Sequence, residues 1–344
     1  MYKVGICGHF GFGKDLANGQ TVKTKNISSE LENIFGENQI YKMDSSGGKK
    51  ALLKLCINAF NLVRKSQNII MLPAHNGLLI FTPVFRFYNL FFKRKLHYVV
   101  IGGWLPEYLE KHRITKHLLK KFDKIYVETS MMKSKLEKQG FNNVLVMPNF
   151  KHIKIVENTK KDISKPYKFC TFSRVMYEKG IEHAAKAVCK INSEANETLC
   201  TLDIYGPVDN NYKDGFDRLL CECSSCVTYK GCVLPEESTE TIKDYYGLLF
   251  PTFYSGEGFA GTIIDAFSAG VVVIASDWRY NQEIVKHGKN GLICKYDSLE
   301  SLELSIKQLI DKKDIYYQMV AECLDSAKKY LPEKVIKILS GQIE

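Results

Sequence analysis

Short apolar runs alternate with longer segments of helical periodicity along most of the chain. The runs are rich in Val, Ile, Leu and Tyr and are bounded by Gly, Pro or polar residues, which predicts strands. The longer segments repeat their apolar residues every three or four positions, which predicts helices. Strands are predicted at 3–7, 68–72, 97–101, 124–127, 144–147, 168–172, 201–205, 227–230, 247–250, 271–275 and 291–294, and helices at 24–35, 50–65, 181–192, 262–269 and 299–311.

The regular alternation of strand and helix indicates an α/β protein with parallel, doubly wound sheets. The alternation restarts near residue 167, after the polar, lysine-rich stretch 150–166 that ends in a proline. We therefore predict a Rossmann-like domain at 1–155 and a second one at 156–325, with a tail helix at 326–344 interrupted at Leu331-Pro332. Ligands of such sheets bind beyond the carboxyl ends of the strands, so two facing sheets would form a central cleft.

The loop after the first predicted strand is rich in glycine. Gly8, Gly13 and Lys14 nearly match a phosphate-binding loop, but Asp15 stands where a magnesium-binding hydroxyl is required. The glycine spacing does not match a dinucleotide-binding loop either. Two readings stay open: a flexible loop before a helix N-terminus, suited to a hydroxyl-rich or anionic ligand, or a connection without a ligand.

Two cations follow the first strand of the second domain. Arg174 comes directly after the predicted strand end, and Lys179 precedes Gly180 and a predicted helix. A guanidinium fork and an ammonium group can together clamp a diphosphate without a metal ion. A solvated charged loop is the alternative.

Two carboxylates bracket a glycine-rich turn later in the second domain. Glu257 is predicted in the loop and Asp265 two helical turns further on, so both could face one ligand. Gly258 and Gly261 would let backbone N–H groups approach a sugar or phosphate closely. Carboxylates accept hydroxyl protons, which suits a sugar diol. Asp265 alone could also be an exposed helix residue.

The excess positive charge lies in the first half of the chain. The net charge is +10, and residues 1–150 hold 23 basic and 10 acidic side chains. Residues 51–100 hold seven basic side chains and no acidic one. The basic, aromatic stretch 85–95 suits an anionic membrane surface, with a core helix ending in solvated cations as the alternative. No nucleic-acid-binding module is recognisable, so we expect no nucleic-acid partner.

Neither a membrane-spanning run nor a signal peptide is found in the sequence, which predicts a cytoplasmic protein. The eleven cysteines are too sparse for a disulfide scaffold. Cys221, Cys223, Cys226 and Cys232 leave a zinc site open, although reduced structural thiols are favoured.

Two aromatic residues follow strands of the first domain. His75 could orient a hydroxyl of a ligand or cap its loop. Trp104 could bind an acceptor sugar through its ring face or pack in the core.

The ordered motifs Ser173-Arg174…Glu178-Lys-Gly180, Asp203-Ile-Tyr-Gly-Pro207, Tyr229-Lys-Gly-Cys-Val233 and Glu257…Asp265 resemble the retaining GT-B glycosyltransferases of family 4, in particular enzymes of capsule and surface polysaccharides. The resemblance covers nearly the whole chain. It implies two Rossmann-like domains, with the C-terminal helix crossing back to the first.

The resemblance also implies roles for individual residues. Arg174 and Lys179 match the pair that holds the diphosphate, and Glu257 matches the carboxylate that contacts the donor hexose. Asp265 stands where the family has a longer glutamate that contacts the ribose. The remaining matches are Gly258, Phe259, Ala260, Gly261 and Thr262 near sugar and phosphates, Lys230, Gly231 and Val233 beside the base, and Gly11, Gly13, Gly19, Gln20 and Thr21, together with His75 and Trp104, on the acceptor side.

A transferase that moves a hexose from a nucleotide-diphosphate sugar, with UDP favoured, to a hydroxyl of a lipid-linked surface glycan is the expected function. Retention of configuration comes from the resemblance alone. We expect no metal and no other cofactor, a saccharide acceptor that is possibly polyprenyl-linked, and peripheral attachment at the inner face of the membrane. A non-catalytic sugar-nucleotide or glycan-binding protein on the same scaffold is the alternative.

Overall fold

The computed structural model describes residues 1–12, 19–46, 52–156 and 164–343. Two compact units form: Met1–Lys151 with Pro332–Glu344, and His152–Leu331. Each unit contains a parallel six-stranded sheet with helices between its strands. Within the described ranges, no helix has both the length and the apolar character needed to cross a bilayer.

The first unit is built on a sheet with the strand order β2-β1-β3-β4-β5-β6. Its buried strands consist largely of apolar residues, as expected when helices cover both faces of a parallel sheet. Its elements are β1 (Tyr2–Gly8), α1 (Gly19–Phe35), β2 (Ile40–Asp44), α2 (Leu52–Lys65), β3 (Ser66–Met71), α3 (His75–Phe92), β4 (Lys95–Val99), α4 (Leu105–Lys111), α5 (Arg113–Leu119), β5 (Lys124–Val127), α6 (Ser130–Lys138) and β6 (Val144–Val146).

The second unit has the strand order β12-β11-β10-β7-β8-β9. Apolar clusters form its core on the two sheet faces, one around Phe169 and Ile204 and the other around Leu248 and Phe267. Its elements are β7 (Tyr167–Phe172), α7 (Ile181–Ala195), β8 (Cys200–Tyr205), α8 (Lys213–Glu222), β9 (Val227–Gly231), α9 (Ser238–Ile242), β10 (Gly247–Phe250), α10 (Gly261–Ser268), β11 (Val272–Ser276), α11 (Asn281–Ile284), β12 (Gly291–Cys294), α12 (Leu299–Asp311) and α13 (Lys313–Ala327).

Each sheet reverses its strand order at one point, and this positions the loops that matter for function. In the second sheet β7 and β10 are neighbours, although two strands separate them along the chain. In the first sheet β1 and β3 are neighbours, although β2 separates them along the chain. Open α/β sheets bind their ligands in the crevice outside such a reversal. The loops after β1, β3, β7 and β10 are therefore the places to look for a site.

Two sequence expectations differ from the structure. The strand β2 was not predicted, because its alternation is short and interrupted by Lys42 and ends in Asp44. The predicted tail helix is interrupted at Leu331-Pro332 as expected, but it is more divided than predicted: a 3-10 turn follows α13, and the short helices α14 (Pro332–Val335) and α15 (Lys337–Ser340) come next. Pro332 cannot donate a backbone hydrogen bond and starts a new helix instead.

The last residues of the chain belong to the first unit. Val335, Ile336 and Leu339 are buried in the same cluster as Val4 and Ile6 of β1. The unit boundary at residues 331 and 332 thus lies a few residues after the predicted one. The beginning of the predicted linker, residues 152–156, belongs to the second unit.

Candidate functional site

The loops after β7 and β10 are joined by their backbones at the strand-order reversal of the second sheet. The amide of Phe253 donates a hydrogen bond to the carbonyl oxygen of Glu178 at 2.8 Å. Gly180 adopts a φ of +70°, and a Cβ atom there would lie 2.3 Å from the carbonyl oxygen of Pro251. Only glycine therefore allows the two loops to approach this closely.

This approach brings together two residues that lie 78 positions apart. The Lys179 Nζ atom donates to Glu257 Oε2 at 2.6 Å, and the side chains are 12% and 9% exposed. The Thr252 hydroxyl donates to the same carboxylate oxygen at 2.9 Å. The predicted cation and carboxylate are thus in direct contact at the carboxyl edge of the sheet. A charge pair that remains slightly exposed can exchange partners with an anionic ligand more easily than one that is fully buried.

Aromatic rings hold the Lys179 ammonium group in place. It lies 5.0 Å from the centre of the Tyr254 ring and 5.8 Å from that of Phe250, within the range of cation–π attraction. The Trp278 indole N–H donates to the carbonyl oxygen of Tyr254 at 2.8 Å, so a residue after β11 fixes the tyrosine. These neighbours restrict the cation to one position.

Arg174 lies on the same loop as Lys179, two residues after the end of β7, and is exposed. Its guanidinium forms no ion pair with another described residue. The loop around it is tightly constrained: Gly206 has a φ of +129°, and a Cβ atom there would lie 1.9 Å from the carbonyl oxygen of Ser173. The arginine is therefore available to an anion from solvent, on a backbone that is itself held.

The predicted backbone segment begins α10. Ala260 is the N-cap and Gly261 the first helical residue, while Gly258 and Phe259 are buried before it. The Thr262 hydroxyl oxygen is buried without a hydrogen-bond partner among the described residues. The first amides of a helix have no partner within it, so this end can bind an anion.

Asp265 is buried, with 2% of its surface exposed, in the second turn of α10. The Thr239 hydroxyl donates to its Oδ1 atom at 3.5 Å. Thr239 also lines a groove of about 550 Å³, so Asp265 supports one wall of that groove. Its predicted contact with a ligand beside Glu257 stays a prediction.

The predicted base-side residues lie at the end of β9. Gly231 has a φ of +80°, and its carbonyl oxygen accepts from the Gly206 amide at 2.8 Å. Lys230 is exposed, with its Nζ atom 3.8 Å from Asp203 Oδ2. Burial, together with its hydrogen bond to Asp203, raises the pKa of Tyr245, so this tyrosine remains a neutral donor.

Of the predicted glycine-rich loop, the structure describes the two ends. Gly13, Lys14 and Asp15 lie outside the described residues. Gly11 adopts a φ of +64°. Gly19 and Gln20 begin α1, and the Thr21 hydroxyl lies 2.8 Å from His9 Nδ1.

Asp44, at the end of β2, organises the beginning of that loop and was missed in the sequence. Its carboxylate accepts from the amides of Phe10, Phe12 and Ser46 at 3.3, 3.1 and 2.9 Å. Burial alone would raise the pKa of Asp44, but these hydrogen bonds outweigh it and lower the pKa. No local pattern indicated this role, because the strand that carries Asp44 was itself missed.

His75 and Trp104, both predicted on the acceptor side, are in direct contact. Their rings stack with centres 4.1 Å apart, and Tyr108 packs edge-on against Trp104 at 5.0 Å. The Trp104 N–H donates to the Ile101 carbonyl oxygen at 2.8 Å. Trp104 is buried while His75 is exposed, and partial burial lowers the pKa of His75. Near neutral pH this surface is therefore an uncharged cluster of aromatic rings.

The four cysteines between residues 221 and 232 differ in their exposure to solvent. Cys221 and Cys232 are exposed, whereas Cys223 and Cys226 are buried. The Cys226 Sγ atom lies 3.3 Å from that of Cys189. Among the residues that the structure describes, no group of three or more His, Cys, Asp or Glu side chains could hold a metal ion.

Taken together, the second unit presents an ammonium group paired with a carboxylate, an exposed guanidinium on the same loop and a helix N-terminus. This set can bind a diphosphate through its cations and a sugar hydroxyl through Glu257. Arg174, Lys179 and Glu257 were predicted from the sequence as binding residues, and their roles stay predictions. Thr252, Tyr254 and Trp278 were missed, although the first two stand directly between β10 and Glu257.

Sequence comparisons match this unit to known proteins. Residues 166–312 match the family described as glycosyl transferases group 1. The chain is 30% identical over 156 residues to the UDP-N-acetylglucosamine–peptide N-acetylglucosaminyltransferase GtfA subunit of Streptococcus gordonii. The aligned stretch covers 44% of this chain and 29% of that protein. The chain is 24% identical over 159 residues to the uncharacterized glycosyltransferase MJ1069 of Methanocaldococcus jannaschii, which covers 45% and 39%. The matched stretch thus spans well under half the length of these relatives.

Solved structures resemble the whole chain. Alr3699/HepE from Anabaena in complex with UDP and glucose has a TM-score of 0.77 at 15% identity, covering 100% of this chain and 99% of that one. Sucrose-phosphate synthase from Thermosynechococcus elongatus has a TM-score of 0.79 at 14% identity, covering 99% and 97%. Identities this low show the fold alone, which is two Rossmann-like α/β domains of the GT-B type. Residues 166–312 thus resemble the group 1 glycosyltransferases, in a chain that has the GT-B fold.

Proposed function

We propose that the protein is a metal-independent, retaining glycosyltransferase that moves a hexose from a UDP-sugar to a hydroxyl of a lipid-linked surface glycan. The observation that carries the proposal is the Lys179–Glu257 contact at the strand-order reversal of a group 1 glycosyltransferase domain. Arg174 on the same loop supplies a second cation.

The chemistry follows from where charge develops. When the bond between the anomeric carbon and the diphosphate oxygen breaks, negative charge grows on the departing diphosphate. Lys179 and Arg174 would stabilise that charge, and the partial positive charge at the N-terminus of α10 would add to it. Two protein cations supply the charge that a divalent ion would otherwise bring, which is why we propose that no metal is needed.

Glu257 has two roles in this scheme. Before the donor binds, it holds the Lys179 ammonium where the phosphate will lie. Once the donor is bound, its second oxygen can accept a hydrogen bond from a hexose hydroxyl. The acceptor hydroxyl then attacks the anomeric carbon, and its proton passes to the departing phosphate oxygen. Retention of configuration is part of the proposal through the family resemblance.

The choice of UDP rests on the relatives. The streptococcal relative is named for UDP-N-acetylglucosamine, and the similar Anabaena protein was solved with UDP-glucose. In this chain Gly231 and Val233 would border the base, Asp265 the ribose side, and the segment 258–262 the phosphates and sugar. The sugar itself is not specified by these contacts.

The acceptor side is proposed in the first unit. The glycine-rich loop and the His75–Trp104 stack offer backbone donors, a ring face and a ring nitrogen, which suit a saccharide. The positive charge of residues 51–100 suits a lipid-linked acceptor at the inner face of an anionic membrane.

A turnover assay tests the proposal. The full chain is incubated with UDP-glucose or UDP-N-acetylglucosamine in EDTA, with and without a saccharide acceptor, and released UDP is measured. Wild type should release UDP, and Arg174→Ala should slow release by about 100-fold or more. Arg218→Ala, on the exposed face of α8, is the matched control and should keep the wild-type rate.

Two results would overturn it. If Arg174→Ala released UDP as fast as wild type, the arginine would have no part in the reaction. If UDP-sugar bound to the wild-type chain without turnover with any acceptor, the protein would be a sugar-nucleotide-binding protein instead of an enzyme.

A further inference from the structure

The outward face of α3 is apolar. Phe87, Leu90 and Phe91 are 57%, 65% and 70% exposed, and they follow one another at helical spacing. Between His75 and Phe92 the only Asp, Glu, Lys or Arg residue is Arg86. A solvent-facing helix surface normally carries charged residues, so this face is unusual for one in contact with water only.

The neighbouring helix α2 extends the same surface. Leu53, Ile57 and Phe60 stand at helical spacing and are 76%, 54% and 37% exposed. Tyr88 connects the two rows, because its ring centre lies 5.4 Å from that of Phe60 and 5.7 Å from that of Phe87. We call Leu53, Ile57, Phe60, Phe87, Leu90 and Phe91 the apolar ridge.

Basic residues lie on the same two helices and directly after α3. Arg94 donates to the carbonyl oxygens of Val63 and Arg64 at 3.2 and 3.4 Å, which fixes it between the ends of the two helices. With its neighbours it forms what we call the basic rim: Lys54, Arg64, Lys65, Arg86, Lys93 and Arg94. Within the described ranges none of these six forms an ion pair with an acidic side chain.

This combination distinguishes between possible partners. A second copy of the chain would place two basic rims face to face, which is repulsive. A nucleic acid would neutralise the rim but leave Phe87, Leu90 and Phe91 in water. An anionic bilayer surface meets both needs, because its headgroups pair with the cations while its outer hydrocarbon accepts the aromatic and aliphatic side chains.

We propose that the apolar ridge and its basic rim dock the first unit on an anionic phospholipid bilayer. The inference deepens the proposed function, on whose lipid-linked acceptor it rests, and it names the surface and the lipid class. The ridge enters the interface while the rim stays at the level of the headgroups, as long basic side chains do.

Vesicle co-sedimentation of the full chain tests this. Wild type should bind vesicles of phosphatidylcholine mixed with phosphatidylglycerol, bind those of phosphatidylcholine alone far less, and be released by salt. The double variant Phe87→Ser, Phe91→Ser should bind about tenfold more weakly or worse. Arg64→Gln and Lys93→Gln should each weaken binding about fivefold.

Matched controls lie in the second unit. Leu304→Ser removes an apolar side chain that is 60% exposed on α12, and Lys295→Gln removes an exposed cation. Both should bind vesicles like wild type. Thermal unfolding of every variant confirms that it is folded before its binding is compared.

Two outcomes would overturn the inference: vesicle binding unchanged by the ridge and rim substitutions, or a wild-type dimer that dissociates in the Phe87→Ser, Phe91→Ser variant while no vesicles bind. UDP release measured without vesicles tests the proposed function separately from membrane docking, because the ridge variants should release UDP at the wild-type rate. If the ridge variants lose vesicle binding but still release UDP, the result supports the docking surface and leaves the proposed function untouched. If the wild-type chain binds vesicles but releases no UDP, the proposed function fails and the docking surface stands.

Discussion

Each of the two units buries a lysine–glutamate ion pair near the carboxyl edge of its sheet, and the two pairs differ in what surrounds them. In the first unit Lys23 of α1 pairs with Glu128 after β5, and the side chains are 4% and 3% exposed. In the second unit Lys179 and Glu257 are 12% and 9% exposed and lie in loops after β7 and β10. The same two residue types are therefore set in different contexts.

The surroundings indicate different roles. Lys23 Nζ also donates to the Val100 carbonyl oxygen at 3.4 Å, so this ion pair ties α1 to the ends of β4 and β5. Lys179 instead lies over the rings of Tyr254 and Phe250, and an exposed arginine precedes it in the same loop. We infer that the first pair stabilises the fold, whereas the proposed function assigns the second pair to the ligand.

The largest expected effect is on the stability of the first unit. Lys23→Met breaks the buried ion pair with Glu128 and should cost about 3–5 kcal/mol of unfolding free energy. Chemical denaturation of the purified protein measures it. The control is Lys42→Met, since Lys42 pairs with Glu32 where both side chains are partly exposed, and it should cost about 1 kcal/mol or less. Equal costs for the two variants would contradict the structural role of Lys23.

Lys179→Met should act on the reaction. Removing one preorganised cation should raise the barrier of UDP-sugar cleavage by about 2.7–4 kcal/mol, a drop of about 100- to 1,000-fold in kcat. Single-turnover kinetics measure it. Lys186→Met removes a lysine from the exposed ion pair with Glu182 and should leave kcat unchanged. If Lys179→Met lost stability but kept the wild-type kcat, the Lys179–Glu257 pair would have a structural role like that of Lys23–Glu128, and its proposed role in the reaction would be contradicted.

Acid should weaken the first unit through His97, which is buried on β4 beside the Tyr126 hydroxyl. Burial lowers the pKa of His97 to about 4, so the folded protein keeps it neutral while the unfolded chain takes up a proton below about pH 6.5. The stability contribution is complete above that pH. It is lost as the pH falls toward 4, by about 3 kcal/mol.

His97→Phe removes the pH-dependent contribution of His97 to the unfolding free energy. The unfolding free energy of the variant should therefore fall less between pH 7 and pH 4 than that of wild type. Denaturation at both pH values measures the difference. Parallel losses in the two proteins would mean that His97 does not carry the acid sensitivity.

The smallest effect is expected at Thr252, which donates to Glu257 without contacting the ligand itself. Thr252→Val removes the hydroxyl that donates to Glu257 and accepts from the Tyr254 amide. It should lower kcat/KM by about fivefold, equivalent to about 1 kcal/mol. Thr171→Val is the matched control, because the buried Thr171 hydroxyl has no partner among the described residues. It should leave kcat/KM unchanged, and an equal loss at both positions would remove the case for Thr252.

The sequence predicted most strands and the two-sheet architecture, because buried parallel strands are continuous apolar runs between turn residues. It failed for β2, where Lys42 and Asp44 interrupt the apolar pattern, and for the tail, where the helices are only four residues long. Arg174, Lys179 and Glu257 could be proposed from the sequence because glycines and strand ends mark their loops.

The partners of those residues could not be predicted. That Lys179 contacts Glu257 follows from the adjacency of β7 and β10, which is set by sheet topology across 78 positions of sequence. Asp44 and Trp278 hold loops that are distant along the chain, and neither residue type marks such a role locally. Long-range hydrogen bonds of this kind leave no periodic signal.

Titration calorimetry with UDP and with uridine, in EDTA, tests the central claim that Lys179 and its loop bind a diphosphate without a metal ion. The wild-type chain should bind UDP more tightly than uridine, and Lys179→Met should lose most of that advantage while its uridine affinity stays unchanged. Equal affinities of wild type for UDP and uridine, or UDP binding that appears only when a divalent ion is added, would contradict the account.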